Sequence, residues 1–273
     1  MPEAKANGID LYYELEGSGE PLALVHGSWG DATSWRLVVP GLAEHFQVLA
    51  YDRRGHSRSD RPDGPGSVDE DGDDLAALLD VLDLAPAHVV TNSWGGNIAL
   101  RLATRRRDVF RSLSCHEPPL WSLLEGDLDS QETLQAGARS LEEVGRRVAA
   151  GDHEGAARQF VNEVAFGPGA WEDELPAEMR AVFVQNALTF LDERQDPDQL
   201  DVDVDTLTHL DVPVRLTEGS ESPPVFPRVI DRLAELTPRV TRETIHGAAH
   251  VPQLSTPALY VEVTTRALQA SVQ

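Results

Sequence analysis

Short apolar runs set between helical stretches constrain this chain more than any other feature. Pro21 to Val25, Phe46 to Tyr51 and Ala87 to Thr91 are each too short for a helix and lack a regular alternation of polarity. That is the pattern of strands covered on both faces. A fourth run spans Arg111 to Cys115. Between the runs, residues 33–44, 70–83 and 95–106 carry apolar side chains at helical spacing. The 70–83 segment opens on acidic residues, where the helix dipole favours negative charge. Strand and helix in alternation predict βαβ units and a mostly parallel sheet. Residues 9–16 read as a further strand, closed by the turn Gly17-Ser18-Gly19.

The rhythm stops after the fourth run. From about Trp121 to Leu207 charged helical segments dominate, broken by Gly167-Pro168-Gly169 and Asp196-Pro197. Strand rhythm returns at Val212 to Leu216, followed by a helix at 225–236, a strand at 239–245 and a last helix at 257–271. The expected organisation is a core domain of residues 1–120 and 208–273, with residues 121–207 inserted as a helical cap, or lid.

With 273 residues and a hydrophobic fraction of 41%, the chain can bury one large core. Asp and Glu number 46 against 23 Lys and Arg, a formal charge of −23. Such a surface repels phosphate backbones and anionic lipids, so neither nucleic acid nor a membrane surface is expected as a partner. Lys5 is the only lysine. The acidity and the arginine bias read as solubility or a salt-rich habitat, not as mechanism. Cys115 is the only cysteine, which precludes an intrachain disulfide and fits a cytoplasmic location. The sequence after Met1 lacks the pattern of a signal peptide, and no apolar stretch is long enough to span a bilayer. A monomer or homodimer is expected.

Three segments carry chemistry. In Thr91-Asn92-Ser93-Trp94-Gly95-Gly96 a buried strand runs straight into a helix, with Ser93 at the junction. A sharp turn there exposes the side chain at the sheet's carboxyl edge, and the helix N-terminus behind it favours developing negative charge. The bland alternative is an ordinary helix-capping serine. His250, in His246-Gly247-Ala248-Ala249-His250-Val251-Pro252, follows the last strand and is placed to take the Ser93 proton. His246, nearer the strand end, reads as a surface-loop histidine. In His26-Gly27-Ser28-Trp29-Gly30 a loop after an early strand can present a backbone N–H to an oxyanion; the expected donors are Ser28 and Trp94.

These segments, in this order, resemble the α/β-hydrolase superfamily, as does Tyr51-Asp52-Arg53-Arg54-Gly55-His56-Ser57-Arg58-Ser59. The resemblance covers nearly the whole chain outside the insertion. It implies the α/β-hydrolase fold, a mostly parallel eight-stranded sheet flanked by helices. Two departures stand out. The usual elbow has Gly where this chain has Thr91. The usual triad Asp, in the loop after the 212–217 strand, falls on Ser222, with Glu221 one residue off. A second location used by some members is the strand end Cys115-His116-Glu117-Pro118-Pro119, which is similar to a Cys-His-Glu segment of the zearalenone-lactonase group. Glu117 is therefore the expected acid and Glu221 the alternative.

A metal is not expected. His116 and Glu117, as neighbours on a strand, should point to opposite sides. Asp69-Glu70-Asp71-Gly72-Asp73-Asp74 lacks calcium-loop spacing, and Asp201, Asp203 and Asp205 read as a solvated edge. Nor is an organic cofactor expected. Haloalkane dehalogenases and epoxide hydrolases carry a Trp at the place of Trp94, but after an Asp nucleophile. Ser93 attacking an alkyl carbon would leave an ether that does not turn over, so Ser93 points to acyl transfer. Trp29, Pro118, Trp121, Phe166 and Trp171 are candidate substrate-binding residues, with cap packing the competing role for the last two. The expected function is hydrolysis of a hydrophobic small-molecule ester or lactone. Carbon–carbon bond hydrolysis and cofactor-free perhydrolysis use a similar triad, and a small-molecule receptor with vestigial turnover is the rival outside catalysis.

Overall fold

The apolar runs become the inner strands of a single sheet. In the computed structural model, which describes residues 2–173 and 175–270, eight strands form: β1 (Glu3–Ala6), β2 (Ile9–Gly17), β3 (Glu20–Val25), β4 (Phe46–Tyr51), β5 (Ala87–Asn92), β6 (Phe110–His116), β7 (Val214–Gly219) and β8 (Val240–Ile245). Their order is β1-β2-β4-β3-β5-β6-β7-β8. The pairs β1·β2 and β2·β4 are antiparallel, and the remaining five are parallel. Every residue of β5 and β7 is buried, which is why neither alternates in sequence.

Both faces of the sheet are covered. Helices Val68–Val81, Trp94–Arg105 and Val225–Leu236 bury Leu75, Leu78, Ile98, Leu102, Val229 and Leu233 on one side. On the other, Trp35, Val38 and Leu42 pack with Tyr260, Val263 and Leu268 of helix Pro257–Ala270. Each fully buried leucine contributes about 1.5–3 kcal/mol of apolar burial. Residues 121–207 lie between β6 and β7 as helices and turns, with a hydrophobic cluster around Phe160, Met179, Phe183 and Phe190 that also takes in Trp29. No helix among the described residues is long and apolar enough to cross a membrane.

Two elements differ from expectation. The helix expected over 33–44 is a 3-10 turn (Ala32–Trp35) followed by a short helix (Val39–Ala43). Pro40 has no N–H to donate to the Arg36 carbonyl, so one continuous helix cannot form. Strand β1 is only four residues long, too short to carry a pattern. The last helix is described to Ala270; residue 271 lies outside the described residues.

Register positions the site. Asn92 pairs with His116, His116 with Thr217, and Gly219 with Ile245. The carboxyl ends of β5, β6, β7 and β8 thus line up along one edge, and Ser93, Glu117 and His250 follow the first, second and fourth of them.

Candidate active site

Ser93 adopts φ +53°, ψ −123°, a conformation rare for a residue with a side chain. The surroundings hold it there. Its N–H donates to the His116 carbonyl (2.9 Å), and its own carbonyl accepts from the Gly96 N–H (2.8 Å). The two following glycines are required by close approach. A Cβ on Gly95 would lie 2.4 Å from the Val25 carbonyl oxygen, and one on Gly96 would lie 2.8 Å from Pro118 Cβ. Thr91 is accommodated because it stays inside β5, where its hydroxyl donates to the Ser114 carbonyl (3.4 Å).

Glu117 and His250 come together. His250 Nδ1 donates to Glu117 Oε2 (2.7 Å), and the Gly219 N–H donates to Glu117 Oε1 (2.7 Å). The Glu117 side chain is fully buried, and that of His250 is 4% exposed. Burial works against the Glu117 carboxylate, but His116 and the hydrogen bond from His250 outweigh it and hold the carboxyl below its ordinary value. With Nδ1–H committed to Glu117, His250 Nε2 is the acceptor. The imidazole stacks on Phe226, centroids 4.3 Å apart. Its backbone carbonyl accepts from Asn92 Nδ2 (2.8 Å), which ties the histidine loop to the nucleophile strand.

One expectation is corrected here. His116 and Glu117 do not point apart. Glu117 has φ +49°, which breaks strand alternation and brings its Oε1 within 3.8 Å of His116 Nε2. His116 is buried, which pushes it down to about 4 and leaves it neutral. Its Nδ1 accepts from the Thr217 hydroxyl (2.9 Å) and its Nε2 donates to the Ala249 carbonyl (3.3 Å). Glu221 is exposed, and its carboxylate accepts from the Ser220 hydroxyl (3.1 Å), not from His250. His246 is exposed, in keeping with a surface role.

Two cavities, of about 550 and 440 Å³, meet at Ser28, Ser93 and His250. Trp121, Phe190 and Phe226 line the first, Phe166 and Met179 the second, and Phe160 both. Trp29, Pro118 and Trp171 do not line them. Trp29 is fully buried against Phe160 and Phe190, and Trp171 packs in the insertion's core. Pro118 sits under Gly96, and Pro119 takes its place in the wall. Trp94 lines the first cavity and heads its helix, so its N–H has no partner within that helix. The Ser28 N–H also has no partner among the described residues. Sequence reasoning missed Phe226 and Glu193. Phe226 follows the Pro223-Pro224 pair at a helix start, a signal for a turn but not for a ring under His250.

The acidic stretch at 69–74 is paired with arginines: Asp69 with Arg101 (2.9 Å), Asp73 with Arg105 (2.9 Å) and Asp74 with Arg54 (2.6 Å). Asp203 caps the short helix Val204–Leu207, accepting from the Thr206 N–H.

Residues 20–257 match the family model of the alpha/beta hydrolase fold. The chain belongs to the alpha/beta hydrolase family. Within that family, a protein of Azorhizobium caulinodans described as a carbamate hydrolase is 40% identical over 114 residues, 42% of this chain and 43% of that one. The chain thus matches less than half of that relative's length. The enol-lactonase of Burkholderia xenovorans superposes with a TM-score of 0.80 at 20% identity, covering 98% of this chain and 100% of that one. The epoxide hydrolase of Bacillus megaterium gives 0.81 at 19% identity over the same shares. At such identities the alpha/beta hydrolase fold is shared, and the chemistry has to be argued from the site.

Proposed function

We propose that this hydrolase cleaves a carboxylic ester or lactone of a hydrophobic small molecule through an acyl-enzyme. The observation that carries the reading is the 2.7 Å contact between His250 Nδ1 and the buried Glu117, beside a serine held on a strained turn in the same cavity. Ser93 Oγ attacks the acyl carbon while His250 Nε2 takes its proton, and Glu117 holds the imidazolium. The oxyanion forms against the N–H groups of Ser28 and Trp94. As the tetrahedral intermediate collapses, His250 gives its proton to the leaving alkoxide. Water, deprotonated by His250, then attacks the acyl carbon, releases the acid and restores Ser93. No metal or organic cofactor enters these steps.

The aromatic and aliphatic cavity walls suit an uncharged hydrophobic body. The lactone form of the reading rests on the sequence resemblance of the Cys115-His116-Glu117 segment to that of the zearalenone-lactonase group. Residues 121–207 act as the cap. The epoxide-opening chemistry of the Bacillus megaterium neighbour does not carry over, because alkylated Ser93 would be an ether beyond the reach of water. Ser93→Ala is expected to abolish hydrolysis of short activated esters and labelling by a fluorophosphonate. Labelling that persists in Ser93→Ala overturns the assignment.

A further inference from the structure

The loop that presents the Ser28 N–H is gripped by the cap. Ser28 Oγ donates to Glu193 Oε2 (2.7 Å). Asn186 Nδ2 donates to the carbonyls of Trp29 (3.2 Å) and Gly30 (2.9 Å). The Trp29 ring lies against Phe160 (5.2 Å) and Phe190 (5.3 Å). Three consecutive core residues are thus held by side chains of residues 160–193. Trp29 also sits at φ +66°, a left-handed conformation that a bulky residue keeps only where its surroundings enforce it. Glu193 is itself anchored. Its Oε1 accepts from Nη2 of Arg53 (2.6 Å), whose side chain is 1% exposed, and it lines the cavity that holds Ser93 and His250.

We propose that Glu193 is a positioning residue that, through the Ser28 hydroxyl, aims the Ser28 N–H at the oxyanion, so that the oxyanion hole is complete only when the cap is seated on the core. The proposal rests on the reading of Ser28 as an oxyanion donor. A cap that lifts releases Ser28, Trp29 and Gly30 together, and the nucleophile then faces a hole with one directed donor, Trp94.

The test measures kcat, KM and fluorophosphonate labelling rate on p-nitrophenyl butyrate hydrolysis for Ser28→Ala, Glu193→Ala, Glu193→Gln and the Ser28→Ala/Glu193→Ala double variant. Ser93→Ala serves as the control for the catalytic reading. Removing a donor outright costs on the order of 100-fold or more, so a misaimed donor is expected to cost about tenfold. Ser28→Ala and Glu193→Ala should each lower kcat and the labelling rate by about that factor, with KM changed less than about threefold. The double variant should match the singles, because all three remove one contact. Glu193→Gln should recover most of the rate, its amide oxygen accepting from Arg53 and its NH₂ donating to Ser28 Oγ. Ser28→Ala removes no charge, so it tests the contact even where Glu193→Ala leaves Arg53 unbalanced and unfolds. Wild-type kcat in Ser28→Ala, or losses that multiply in the double variant, overturns the proposal. Activity surviving in Ser93→Ala would instead overturn the catalytic reading beneath it.

Discussion

Glu117→Gln is the substitution whose outcome the geometry determines most fully. Glu117 Oε1 accepts from the Gly219 N–H and Oε2 from His250 Nδ1. In the variant, the amide oxygen must stay with Gly219, because an NH₂ there would face another donor. The NH₂ then faces His250 Nδ1 and donates to it. That forces the tautomer with hydrogen on Nε2, which cannot accept the Ser93 proton. The imidazolium of the transition state also loses its counter-charge. Two unit charges about 4 Å apart at an effective dielectric near 20 attract by about 4 kcal/mol, which is about three decades of rate. Loss of the working tautomer adds to this, and the expected fall in kcat is about 10³–10⁴-fold, with KM little changed. Steady-state hydrolysis of p-nitrophenyl esters measures it, with Glu221→Gln, exposed and bonded through its carboxylate to Ser220 rather than His250, expected within about twofold of wild type as a surface substitution. A Glu117→Gln enzyme within tenfold of wild type, or a crippled Glu221→Gln, would refute the assignment of the acid.

Gly95→Ala should fail to accumulate as folded protein, because its Cβ would lie 2.4 Å from the Val25 carbonyl in the central strand; a normal melting curve would contradict this. Phe226→Ala removes the ring stacked on His250 and should cost about 3–5 kcal/mol of stability, with a kcat loss larger than its KM change; urea titration and kinetics together check both. Burial pushes the Glu193 carboxyl from 4.5 up to about 7. The folded state therefore holds this proton more tightly than the unfolded state does. The associated stability is full below about pH 4.5 and is lost as pH rises through about 7. The gap corresponds to about 3 kcal/mol, so Glu193→Gln should flatten the decline in unfolding free energy between pH 5 and 8. Identical pH slopes for wild type and variant in urea titrations would count against it.

Much of this was legible in the sequence because it is local. Ser93 and His250 each sit at a boundary between two patterned segments, and a boundary is visible along the chain. Glu117 was legible only through Ser222 as a contrast and the family resemblance of its segment, since its pairing with His250 depends on β6, β7 and β8 lying side by side in that order. The approach of His116 to Glu117 was not legible at all. Period-two reasoning assumes extended backbone, and Glu117 leaves it. The pocket walls divided in the same way. Trp121 and Phe166 lie where the chain passes the cavity. Trp29 adopts a left-handed turn that sends its ring into the cap, and no periodicity encodes that. The Ser28–Glu193–Arg53 contact joins three distant segments through the packing of the insertion, which the charged helical pattern of residues 121–207 leaves unspecified.

The placement of Glu117 bears on the order in which the active site is assembled as the chain folds. Nucleophile and acid stand on adjacent strands of one βαβ unit, locked by the bond from the Ser93 N–H to the His116 carbonyl. His250 arrives on a segment that must dock through β8 and the Asn92 contact. A folding intermediate with β3 to β6 in place would hold Ser93 and Glu117 at their final separation without a base between them. Its serine would be unreactive. Recovery of fluorophosphonate labelling during refolding therefore times the docking of the histidine segment.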